Sequence, residues 1–207
     1  MNKSEKFWDR ISNNYDNQAD NNDQTHIKTF KNIKKHLNGS DIVLDYGCAT
    51  GTITNEIADN VKEIHGIDIS SKMIQVAKRN AEERKIENVY FSHSTIFNEK
   101  YKKNSFNVIL GFNILHLLED TEKVMQRINE LLKPGGIFIS ATACMGDKKT
   151  LLSIFLFLLS KIGIVPYIKK LKISELEDLI TNENFQIIET EKEHQGKYSY
   201  FIAATKI

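Results

Sequence analysis

Two aspartates and one run of small residues carry most of the chemistry that this sequence can offer. Residues 43–51 read Val-Leu-Asp-Tyr-Gly-Cys-Ala-Thr-Gly: an apolar stretch ends at Asp45, and the chain then passes through Gly47, Ala49 and Gly51. Small side chains at such a turn let the backbone run close to a ligand. Seventeen residues after Gly51, a second apolar stretch ends at Asp68. A carboxylate in that place can accept from both hydroxyls of a ribose. A ligand-free strand-to-helix turn would use the same glycines, and it is Asp68 that argues for a bound nucleoside.

The ligand can be narrowed by charge. A dinucleotide fingerprint needs Gly-x-Gly-x-x-Gly, whereas this chain has Gly47, Ala49 and Thr52. Asp45, two residues before the first glycine, repels a pyrophosphate and attracts an ammonium. A cofactor with adenosine at one end and an amino acid at the other is S-adenosylmethionine, which leaves methyl transfer as S-adenosyl-L-homocysteine. Methyl transfer from a sulfonium needs acceptor and methyl held in line, and it needs a base only when the acceptor has a proton to lose. His116 is the candidate base, and a packed polar residue is the competing reading. His65 and His93 read as ordinary strand or surface residues. Cys48 and Cys144 read as small packing residues, since no basic cluster argues for a thiolate. No His/Cys/Asp/Glu group has ligand spacing, so no metal site is expected.

These residues need a scaffold, and the hydrophobic pattern supplies one. Ile27, Phe30, Ile33 and Leu37 mark a helix over 25–37. Strands follow at 41–46, 63–69, 88–92, 106–112 and 137–142, with helical patterns between them, including Met73, Val76, Ala77 and Ala81 after a Ser70 or Ser71 cap. A third helix, carrying Val124, Ile128 and Leu131, is expected to stop at a breaker, Lys133-Pro134-Gly135-Gly136. Strands alternating with helices imply a parallel sheet wrapped on both faces. Ser174 and Glu177 predict a capping box for a late helix. Residues 185–190 and 199–205 then predict an antiparallel pair. Asp45, Asp68 and His116 all fall at or just beyond strand ends, on the carboxyl edge where such sheets bind ligands.

With those motifs in place, the sequence resembles the class I S-adenosylmethionine-dependent methyltransferases, in the branch acting on small molecules, quinones and lipids. The likeness runs over roughly residues 5–205. VLDYGCATG is similar to the family's first motif, GIDIS (66–70) to its ribose-binding acid, LKPGG (132–136) to the turn before strand five, and the ending to its terminal hairpin. The resemblance implies a three-layer α/β/α sandwich, with a seven-stranded, mostly parallel sheet and an antiparallel last strand. It also implies roles. Asp45 and Gly47, within a turn that includes Cys48, Ala49 and Gly51, hold the methionine part, and Asp68 holds the ribose. Ile69 and Met73 pack on adenine, Asn113 lies under the amino group, and Tyr15 closes over the cofactor. The family's adenine-binding Asp is replaced by Ser94, so Ser94 or Thr95 is expected to take that bond. Motifs for amino-methylation of nucleic-acid bases and of protein arginine are missing after strand four, which points to a small-molecule acceptor and no nucleic acid.

One domain is expected, over 1–207, with an N-terminal helical flap (1–38) and an apolar lid (146–173). Residues 12–24 hold five Asn, three Asp and two Gln, and read as a mobile hinge. The lid carries the run LLSIFLFLL (151–159), while 148–172 hold six lysines and no acid. Three readings fit it: a buried cap helix, a cover over an apolar acceptor, or a helix resting on an anionic membrane surface. The run is too short to span a bilayer. Among 207 residues, 28 Lys+Arg against 27 Asp+Glu lack the basic footprint of a nucleic-acid binder. Two cysteines and an N-terminus with no apolar core suggest a cytoplasmic protein rather than a secreted one. Two rivals remain, a non-catalytic S-adenosylmethionine-binding module and a nicotinamide-dependent oxidoreductase, and Asp45 disfavours the second.

Overall fold

A computed structural model describes residues 3–16, 24–146, 159–160, 165–192 and 199–207. It has a seven-stranded sheet in the order β3-β2-β1-β4-β5-β7-β6. The strands are β1 (Ile42–Tyr46), β2 (Glu63–Asp68), β3 (Val89–His93), β4 (Phe106–Phe112), β5 (Leu132–Ala143), β6 (Phe185–Lys192) and β7 (Ser199–Lys206). The first five pair in parallel, and β7 lies antiparallel between β5 and β6. Only β7 therefore runs against the rest, as expected from the sequence.

The helices are α1 (Lys3–Ile11), α2 (Gln24–Lys34), α3 (Thr52–Ile57), α4 (Ser71–Glu83), α5 (Thr121–Leu131) and α6 (Ile173–Thr181). Two-residue alternation sends β1 side chains to opposite faces. Val43 joins Ile33, Ile57, Ile64, Val108 and Phe201 on one side. Leu44 joins Ile109, Val124, Ile128, Phe138 and Leu176 on the other. A sheet buried on both faces needs continuous apolar strands, and β4 (FNVILGF) is buried at six of its seven positions. The order reverses between β1 and β4, which opens a crevice at their carboxyl ends.

Two local expectations need correction. The Lys133–Gly136 segment does not break the chain before a later strand. Leu132 already pairs with Phe106, and a bulge near Asn107 absorbs the turn, so β5 starts five residues earlier than its apolar run. The last helix is not capped by a Ser174–Glu177 box. It starts two residues earlier, with Lys172 at the N-cap, and the Glu175 carboxylate accepts from the Lys172 N–H at 2.9 Å. Residues 12–14 form a 3-10 turn, and Asp16 is hydrogen-bonded to the body of the domain, while 17–23 lie outside the described residues. Most of the expected lid, 147–158 and 161–164, also lies outside them. Its far end returns to the site, where the Lys169 N–H donates to the His116 carbonyl at 2.7 Å.

Candidate active site

The turn after β1 is built on three left-handed residues, Gly47 (φ 78°), Ala49 (φ 48°) and Gly51 (φ 78°). The two glycines are required by packing as much as by a ligand. A Cβ on Gly47 would run into the Ile114 side chain, and one on Gly51 would sit 2.7 Å from Phe91 Cζ. The N–H groups of Gly47 and Cys48 both donate to the Ile67 carbonyl, that of Gly51 to the Cys48 carbonyl, and that of Ala49 to Asp68 Oδ2 at 3.1 Å. All four of these N–H groups are thus used within the protein, which ties the β1 turn to the end of β2.

Asp68 ends β2. Its second oxygen accepts from the Ser70 N–H at 2.7 Å. Burial pushes its pKa above the ordinary value; the Ser70 and Ala49 N–H groups and His93 oppose that rise, and Asp9 adds to it. Ser70 is also the N-cap of α4, accepting from the Met73 N–H at 3.1 Å, which turns the start of that helix toward the crevice. Asp45 lies deeper, only 2% exposed, and its Oδ2 accepts from the Thr54 hydroxyl at 2.6 Å. Burial raises its pKa to about 6, against the lowering by Thr54 and with a further rise from Asp68.

A cavity of about 330 Å³ opens over these strand ends, within the size range of small-molecule sites. Of the residues singled out from the sequence, Tyr15, Gly47, Ala49, Asp68, Ile69, Met73 and Asn113 line it together. Asp45, Cys48, Gly51, Ser94, Thr95 and His116 are not among its lining residues. Cys48 packs with Ile74, Ala77 and Phe91. The Ser94 N–H donates to the Asp68 carbonyl, and its hydroxyl turns to the Thr95 carbonyl. Asn113 holds a left-handed conformation, φ 52°, with its N–H on the Ala141 carbonyl at 2.8 Å. His116 sits on a 3-10 turn with Nδ1 buried and without a hydrogen-bond partner among the described residues, and burial lowers its pKa to about 4.

Sequence reasoning missed much of the outer wall: Trp8, Tyr46, Phe112, Leu117, Leu118, Glu119 and Tyr167. Trp8 and Tyr15 meet edge to face, with centroids 6.3 Å apart. Trp8 is the only tryptophan in the chain and lies seven residues before Tyr15, a spacing that puts both on one helical face. That was the available signal.

A methyltransferase-domain family profile matches residues 37–199 of this chain. The chain belongs to that family. Its cofactor is S-adenosylmethionine. This methyltransferase domain is 30% identical over 164 residues to a ubiquinone biosynthesis O-methyltransferase of Pelagibacter ubique, covering 77% of this chain and 64% of that protein. It is 32% identical over 111 residues to phosphoethanolamine N-methyltransferase 2 of Caenorhabditis elegans, covering 53% of this chain and 24% of that one. The chain therefore spans less than two thirds of the length of either relative. Its fold matches that of Haemonchus contortus phosphoethanolamine N-methyltransferase 2, solved with phosphomonomethylethanolamine and S-adenosylhomocysteine, at a TM-score of 0.70 and 20% identity over 87% of this chain and 52% of that one. Among the described residues no group of three His, Cys, Asp or Glu gathers as a metal site, and no helix is long and apolar enough to cross a membrane.

Proposed function

We propose that this domain moves the methyl group of S-adenosylmethionine to a neutral, largely apolar small molecule. When bound, the cofactor supplies an electrophilic methyl on a sulfonium. The role of this chain is placement. Asp68 would accept from the ribose, Ile69 and Met73 would flank the base, and Gly47 and Asn113 would border the methionine part, with buried Asp45 adding negative charge nearby. Tyr46, Phe112, Ile114, Leu117, Leu118, Pro166 and Tyr167 keep water from the acceptor side.

The observation that carries this reading is the character of the wall. Its acceptor side is aromatic and aliphatic, and both charged side chains on the described wall, Asp68 and Glu119, are acids. Acids suit a cationic cofactor and repel a phosphorylated acceptor. This favours an apolar acceptor over the phosphorylated kind named for the phosphoethanolamine relatives. Where the acceptor carries a proton, His116 is the candidate to receive it, as a neutral imidazole.

The test is a methyl-transfer assay over paired acceptors, each a neutral apolar phenol, quinol or amine beside its phosphorylated analogue. The neutral member is expected to show kcat/KM at least about 100-fold higher. A preference for the phosphorylated members overturns the acceptor assignment. Tight cofactor binding with no turnover on any acceptor would instead make this a binding module.

A further inference from the structure

Two carboxylates outside the wall hold its outer part in place. Asp9, near the end of α1, accepts at Oδ1 from the Ser70 hydroxyl at 2.6 Å and from the Lys72 N–H at 3.2 Å, both at the N-terminus of α4. Asp16, just after the 3-10 turn, accepts at Oδ1 from the Thr50 hydroxyl at 2.5 Å and the Thr52 hydroxyl at 3.5 Å, where the β1 turn enters α3. Each carboxylate is the sequence neighbour of an aromatic wall residue: Asp9 follows Trp8, and Asp16 follows Tyr15. The segment between them is internally tied, with the Ser12 hydroxyl on the Asp9 carbonyl and the Tyr15 N–H on the Ser12 carbonyl.

We infer that Asp9 and Asp16 are positioning residues forming a two-point latch, which holds Trp8 and Tyr15 across the mouth of the cofactor cavity and sets how slowly the cofactor product leaves. Three features support this. The two anchors grip different places, the start of α4 and the turn that enters α3, so the segment is pinned to the body of the domain at two points. Ser70 belongs to both systems, giving its hydroxyl to Asp9 and its N–H to Asp68, so the outer latch and the ribose-binding acid share one residue. Both anchors are carboxylates on hydroxyl or N–H donors, the charge-assisted class of hydrogen bond. α1 buries no residue of its own, so these bonds and the two aromatic rings hold it more than a hydrophobic core does.

The inference rests on the cofactor occupying this cavity, and the experiment separates the two claims. Trp8, the only tryptophan, reports on the latch directly by fluorescence. Wild-type protein is mixed with S-adenosylhomocysteine and then chased, in a stopped-flow instrument, to give association and dissociation rates. A wild-type protein with no binding at all removes the cofactor assignment itself. Given binding, Asp9→Ala and Asp16→Ala are each expected to raise the dissociation rate about tenfold or more, the factor that one charge-assisted hydrogen bond carries, with the association rate little changed. Asp16→Asn keeps an acceptor oxygen and is expected to stay within about threefold of the wild type. Should an alanine variant fold poorly, Thr50→Val removes the Asp16 donor from the other side and is expected to speed release in the same way. Dissociation unchanged in the alanine variants, or slowed equally with association, overturns the latch.

Discussion

Thr54 donates its hydroxyl to Asp45 Oδ2 at 2.6 Å inside a site with almost no solvent contact. The helix that follows the glycine turn thus reaches back to hold the acid that precedes it. One neutral hydroxyl offsets only part of the cost of burying a carboxylate, and the pKa of about 6 records the remainder.

That remainder should appear as a pH dependence of stability. The folded pKa lies above the ordinary aspartate value of 3.8, so between about pH 4 and 6 the folded state binds more protons than the unfolded one. Stability from this group is therefore greatest below pH 4, falls as pH rises through 6, and stays low above it. Asp45→Asn still accepts from Thr54 and cannot ionise. It is expected to be more stable than the wild type at pH 7, by about 1–3 kcal/mol, with the difference vanishing near pH 4. It should also bind S-adenosylmethionine less tightly, having lost the charge beneath the amino group. Urea denaturation at several pH values measures the first effect and calorimetry the second. A variant no more stable than the wild type at pH 7 would show that the ionised carboxylate is not a burden here.

Asp68 makes a different prediction, since its two oxygens already hold the Ala49 and Ser70 N–H groups and a ribose would complete its shell. Asp68→Ala should weaken S-adenosylmethionine binding more than tenfold, the loss of a charge-assisted acceptor worth about 1.5–3 kcal/mol. Circular dichroism should show the fold retained. Unchanged affinity by calorimetry would remove Asp68 from the cofactor site.

The glycine turn gives a prediction about packing. Gly51 is left-handed, and a Cβ there would meet Phe91 Cζ at 2.7 Å and Ala77 Cβ at 3.1 Å. Gly51→Ala should cost about 1–3 kcal/mol, from backbone strain plus overlap. Adding Phe91→Leu should recover part of it. Gly135 has a similar φ of 73° with open space around it, so Gly135→Ala isolates the backbone part and should cost about 1 kcal/mol. Equal costs at the two positions would mean that the contact with Phe91 contributes nothing.

The contrast between Asp68 and Asp9 explains how far this site could be read in advance. Asp68 was legible because it ends an apolar run at a fixed distance from a glycine turn, so its place follows from short-range pattern. Asp9 meets Ser70 across 61 residues and Asp16 meets Thr50 across 34. Nothing local distinguishes these two acids from the other acids of a charged, asparagine-rich segment. The fold behaves the same way. The pattern marks the true ends of β4 because both flanks are polar, whereas it marks β5 too short because a Pro-Gly-Gly segment normally ends pairing, and only the bulge opposite Asn107 lets it pair. The acceptor wall was the least legible part, since Leu117 and Tyr167 reach it from segments far apart in the chain.

Those two residues carry the last prediction, which concerns the acceptor. Leu117 and Tyr167 line the cavity from opposite sequence regions, one on the turn after β4 and the other at the far end of the expected lid. Leu118 lines it too, but it packs on the core beneath α5, so its removal would mix binding with stability. Burying one such side chain against an apolar acceptor contributes about 1.5–3 kcal/mol, or roughly 10- to 150-fold in affinity. Leu117→Ser and Tyr167→Ser, made singly, should therefore raise KM for an apolar acceptor about tenfold or more, while KM for S-adenosylmethionine changes less than threefold. Phe155 and Leu158, expected from the sequence to cover the acceptor, lie outside the described residues, and the same substitutions there extend the test to the rest of the lid. A parallel rise in both Michaelis constants would mean that the wall shapes the cofactor cavity as a whole. A drop in melting temperature with acceptor preference unchanged would make these residues core, and the apolar-acceptor reading would fall with them.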